Sequence, residues 1–200
     1  MVIECIGGVV FVGAAGVLAG KVPKAMKDTT LSVLNVGKNK AVLLPAYGEY
    51  TYEKRDEKDS SWWLYYGRDE ESGYDGYTLT LNGTHLDEYT NRQGISADGD
   101  LHIRLLGENT IGAGAEKPEQ AIAFAGELLL TGSGSLRASA KTAALAAENG
   151  NLLLYASIGA EAGKAVSIAD GTLYLEEGCM GIGDSSSMHD TGHFICRSEE

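Results

Sequence analysis

Ala144-Leu-Ala-Ala-Glu-Asn-Gly-Asn-Leu-Leu-Leu154 is followed by Ala165-Val-Ser-Ile-Ala-Asp-Gly-Thr-Leu-Tyr-Leu175, and the two stretches share one pattern. Upstream, the pattern stands in Ala121-Ile-Ala-Phe-Ala-Gly-Glu-Leu-Leu-Leu130 and in Gly94-Ile-Ser-Ala-Asp-Gly-Asp-Leu-His-Ile103. Each copy holds an apolar pair two residues apart, a turn centred on Gly, and a second such pair. The first pairs are Ile95/Ala97, Ile122/Phe124, Leu145/Ala147 and Val166/Ile168, with Phe194/Cys196 as an incomplete last copy. The second pairs are Leu101/Ile103, Leu128/Leu130, Leu152/Leu154 and Leu173/Leu175. A third set follows in each unit: Ile111/Ala113, Leu136/Ala138, Ile158/Ala160 and Met180/Ile182. Spacing of two sends both side chains of a pair to one face of a strand. A unit of three short strands recurring at 27, 23, 21 and 28 residues is the pattern of a solenoid.

Composition fits this reading. The chain has 200 residues, with 27 Gly and only 3 Pro. Gly supplies tight turns, whereas Pro would remove donors from a stacked ladder. Alanine content alone would make Ala138–Glu148 a helix. That choice leaves the Leu-x-Leu register and the equivalent glycines, Gly126 and Gly150, without a reason. The repeat therefore predicts an all-β chain: a small right-handed parallel β-helix of about five short coils, three strands to a coil. Small Ala side chains are expected as inward fillers of a narrow core.

The expected division is residues 1–76 as an N-terminal β-rich cap or appendage and 77–200 as the helix. Tyr77-Thr-Leu-Thr-Leu-Asn-Gly83 reads as a degenerate first coil, with Leu86 as its third segment. The uncharged run from Ile6 to Gly20 is too short for a membrane span and lacks the basic start of a secretory signal. Two buried strands are expected there instead. No membrane span and no recognisable signal peptide are expected. With 16 basic against 28 acidic residues, the net charge of −12 repels phosphate backbones and speaks against nucleic acid as a partner.

Chemistry-bearing residues fall in three places. Turn residues align from coil to coil in two columns, Asp98 with Asp170 before the Gly and Asp100 with Glu127 after it. Asp98, Asp100 and Asp170 are candidate calcium ligands, since Ca²⁺ takes 6–8 oxygens, and ordinary Asx turns explain the same residues. Trp62, Trp63, Tyr65 and Tyr66 are candidates for stacking on sugar rings. Alternation puts Trp62 with Leu64 and Tyr66 on one face and Trp63 with Tyr65 on the other, so one face is expected to pack inward. His189, His193 and Cys196 have a superficial zinc spacing, but Gly192 argues against the helix that would align the histidines, and a fourth ligand is lacking. Neither a phosphate-binding loop nor a G-x-S-x-G elbow is present.

Tyr77–Gly83, Gly94–Ile103, Gly107-Glu-Asn-Thr-Ile111 and Thr131-Gly-Ser-Gly-Ser-Leu136 together resemble a family of bacterial proteins. This is the carbohydrate-binding domain-containing, right-handed parallel β-helix family of secreted and cell-surface proteins. The resemblance covers roughly residues 62–196. It implies a non-catalytic, extracellular role, with acidic plant polysaccharide bound in some members, often with calcium. The acidic turn residues here are sparser than such a site calls for. The function expected is thus a polysaccharide-binding module. The alternatives are an adhesive segment that contacts another protein or self-associates through an open C-terminal coil, and a polysaccharide lyase or hydrolase.

Overall fold

The computed structural model describes residues 2–4, 10–12, 30–44, 47–52, 61–176, 181–182, 188–189 and 193–197. The chain is all-β, with no helix among the described residues, and forms a β-solenoid of about four turns, a parallel β-helix. Among the described residues no helix is long and apolar enough to cross a membrane.

Strands at equivalent repeat positions pair in parallel and in register. Ile95, Ile122, Leu145 and Val166 form one row across four coils. Leu101, Leu128, Leu152 and Leu173 form a second. All eight are at most 4% exposed. Each apolar pair is thus covered by the same pair one coil away, and truncating one such Leu to Ala costs about 2–5 kcal/mol. In two coils the first and second segments fuse into single strands, Gln120–Thr131 and Ala143–Leu154. A register shift between Phe124 and Gly126 marks the corner, where Gly126 has φ of 76°. The corner backbones are packed so closely that a Cβ on Gly150 would strike Gly126 O, and one on Gly171 would strike Gly150 O. Ala138–Glu148 contributes to the strands Ser135–Ser139 and Ala143–Leu154; burial in a parallel stack overrides the local helical preference of alanine.

Three details of the expected register are corrected. In the coil that begins at Gly94, Asn109 pairs with Leu136 and Ile111 with Ala138, so the third-segment pair is Asn109/Ile111 and not Ile111/Ala113. Asn109 is 2% exposed. Its Oδ1 accepts from Thr84 N at 2.8 Å, and its Nδ2 donates to Leu106 O, Gly107 O and Ser135 O. Local hydrogen bonds make an amide the right residue for an inward corner where an apolar one was expected. Second, the strand His193–Arg197 pairs in parallel with Thr172–Glu176, so Phe194 and Cys196 continue the second segment and not the first. Third, Gly181–Ile182 pairs antiparallel with Val10–Val12 instead of stacking on Ser157–Glu161.

The N-terminal residues reach both ends of the solenoid. The hairpin of Ser61–Arg68 and Asp75–Asn82 lies antiparallel, and Asp75–Asn82 then pairs in parallel with Leu101–Leu106. Leu34–Val36 pairs antiparallel with Gln93–Ala97. At the far end, Val2–Glu4 lies antiparallel to Lys164–Asp170, and Val10–Val12 antiparallel to Ser157–Glu161.

Candidate functional site

The acidic turn residues act between coils. Asp100 Oδ1 accepts from Glu127 N at 2.6 Å, and two coils further along the same row Asn151 Oδ1 accepts from Thr172 N at 3.0 Å. Asp98 accepts from Ser32 N, Ser32 Oγ and Val33 N at 2.5–2.8 Å. Burial would raise the Asp98 carboxyl, but these donors outweigh it and hold the group below its ordinary value. Asp170 is exposed, and its backbone pairs with Asn149. No group of three or more His, Cys, Asp or Glu side chains that would hold a metal converges among the described residues. The side chains of His189, His193 and Cys196 lie outside the described residues.

The four aromatic candidates divide as alternation predicts. Trp62 is 5% exposed and belongs to the core together with Leu64. Tyr66 stacks on Tyr77 at 4.5 Å and meets Tyr47 edge-on at 5.7 Å. Trp62 is therefore a packing residue, and Tyr66, half-buried, packs its ring against Tyr77 and Tyr47. Trp63 and Tyr65 stand half-buried on the opposite face, where the Tyr65 ring occupies the space above Gly67.

Beside them on that face lies a polar cluster that repeat reasoning missed. His102 is fully buried, its Nδ1 3.1 Å from Thr78 Oγ1 and its Nε2 2.7 Å from Thr131 Oγ1. The turn Asp69–Tyr74 folds over it. The Tyr74 ring centre is 5.2 Å from that of His102 and packs with Leu129 and Leu153. Ser72 donates to Asp69 Oδ2 through both N and Oγ, and Arg104 binds Asp69 at 3.2 Å and also Glu71. Burial keeps His102 neutral; Asp69 opposes that effect and Arg104 adds to it, leaving the ring at about 4. The available signal was parity, which turns His102 and Arg104 away from the core.

An open concavity lies on a different face, outside the first-segment strands. It is a shallow groove of about 590 Å³. Its floor is the in-register row Ser96, Ala123, Ala146 and Ser167. Ala123, Ala125, Ala146 and Ala169 thus line the outside, contrary to the expectation that alanines fill the core; Ala97, Ala138, Ala147 and Ala160 do face inward. One rim carries Gln93 and Gln120, whose amides join at 3.0 Å, and the other carries Asp98, Glu148 and Asn149. The side chains of Glu148, Asn149 and Ser167, and Gln120 Nε2, have no hydrogen-bond partner among the described residues. Small residues below and uncommitted polar groups at the sides allow an extended polar ligand to approach the sheet closely.

Fold and groove define the class as a parallel β-solenoid with a shallow polar-rimmed groove among its described residues. Comparison with family models, with curated proteins and with solved structures finds no match.

Proposed function

We propose that this protein is a non-catalytic binding module that holds a polysaccharide chain in the groove over Ala123 and Ala146. The observation that carries the reading is an alanine floor rimmed by polar groups, of which Gln120 Nε2 and the side chains of Glu148, Asn149 and Ser167 have no hydrogen-bond partner among the described residues. The family resemblance of the repeat residues supports it and adds a secreted or cell-surface bacterial setting. A binding role without chemistry is supported by the use made of the reactive groups. Asp100 is engaged by a backbone N–H, and both His102 ring nitrogens face threonine hydroxyls out of reach of solvent.

Affinity electrophoresis through gels containing neutral or acidic polysaccharides, with and without a chelator, tests the reading. Retardation is expected in at least one gel, unchanged by the chelator. Ala123→Trp, which fills the floor, should weaken it by about tenfold or more. Mobility identical in every gel would overturn the binding role, and release of reducing ends from any substrate would overturn the non-catalytic one.

A further inference from the structure

We infer that the groove selects an uncharged, extended glycan and rejects acidic chains. The inference rests on the binding-module reading and concerns the chemistry of its ligand. It departs from the acidic polysaccharide that the family resemblance implies.

Charge is the first ground. The groove lining contains Asp98 and Glu148 and no Lys or Arg. Donors that hold Asp98 below its ordinary range keep it ionised, and Glu148 is exposed without an ion pair among the described residues. A uronate chain would bring its carboxylates to this rim on a molecule already at −12, where the described residues that line the groove include no Lys or Arg. The basic side chains Lys117 and Arg137 are tied elsewhere, to Glu161 on the third-segment strands.

Shape and donor chemistry are the second ground. Four neighbouring strands span about 14 Å, room for about three sugar rings in an extended chain. The adjacent methyl groups of Ala123 and Ala146 form an apolar floor suited to the C–H face of a ring. Hydroxyls at the ring edges then meet amide groups on both sides, Gln120 on one rim and Asn149 on the other. Amides both donate and accept, which suits hydroxyls and gives no preference for charge. Asp98 and Glu148 add acceptors for the same hydroxyls.

Calorimetric titration of the full chain with cellohexaose and with hexagalacturonate, at low and high salt, separates the outcomes. Cellohexaose should bind with little salt dependence and hexagalacturonate should not bind. Gln120→Ala, a rim change that leaves the core untouched, should weaken cellohexaose by about three- to tenfold, and Glu148→Lys should let hexagalacturonate bind. Equal or tighter binding of hexagalacturonate to the native chain would overturn the selectivity and leave the binding module standing. Binding of neither sugar would overturn the glycan-binding reading itself. Cellohexaose binding insensitive to both Gln120→Ala and Ala123→Trp would remove the ligand from this groove.

Discussion

A histidine between two threonine hydroxyls, sealed by a tyrosine ring, has nowhere to place a second proton at low cost. In the folded chain His102 titrates at about 4, against an ordinary value of 6.5. Between those values the unfolded chain binds more protons than the folded one, so the stability His102 contributes is complete above pH 6.5. It is lost as pH falls toward 4, an effect on the order of 3 kcal/mol at 1.36 kcal/mol per unit. Asp69, held low by Ser72 and Arg104 against its burial, loses its contribution only at more acidic pH. Denaturant midpoints measured across pH 4–7 should therefore fall with acidity, and His102→Gln should flatten that slope; an unchanged slope in the variant would assign the effect to other groups. Asn109 makes the second residue-scale prediction. Asn109→Ala leaves the Thr84 N–H without this acceptor in a buried corner and removes three bonds to carbonyls, of which Leu106 O and Gly107 O keep backbone donors; it should cost about 2 kcal/mol in urea unfolding.

Strands were legible wherever the repeat is strict. The pairs around Leu128, Leu152 and Leu173 could be placed in register from their spacing alone, because covering one apolar row with the next admits no slip without turning it to solvent. Asn109 broke the pattern because inward corners accept an amide when backbone groups saturate it, and apolar counting cannot see that. Phe194/Cys196 was assigned to the first segment because the i, i+2 spacing of a lone strand fits either row equally well. The alanines carried half a signal: parity puts Ala123 and Ala146 outside, but only coordinates show that they floor a groove. The strap Asp69–Tyr74 was invisible, since its hold depends on Arg104 and His102 more than 25 residues away.

For the whole molecule, stability accumulates coil by coil, because each coil contacts mainly its neighbours. Removing residues 145–165 joins Ala144 to Val166 and deletes one 21-residue unit in register. The shortened chain should keep its β circular dichroism and a cooperative transition with a lower thermal midpoint; loss of the β signal would show that coils are not interchangeable units. Its groove would also be one strand shorter, so longer glycans should lose more affinity than short ones.

Closure of the far end has a consequence for biosynthesis. Val2–Glu4 and Val10–Val12 are made well before their partners Lys164–Asp170 and Ser157–Glu161, which lie more than 140 residues later. At about 5–20 residues per second, the ribosome delivers those partners only after roughly ten to thirty seconds. Coils can stack on the nascent chain in order while the leading strands wait. The pairing that closes the solenoid is thus a late event, made by strands synthesised well before the coils they cover.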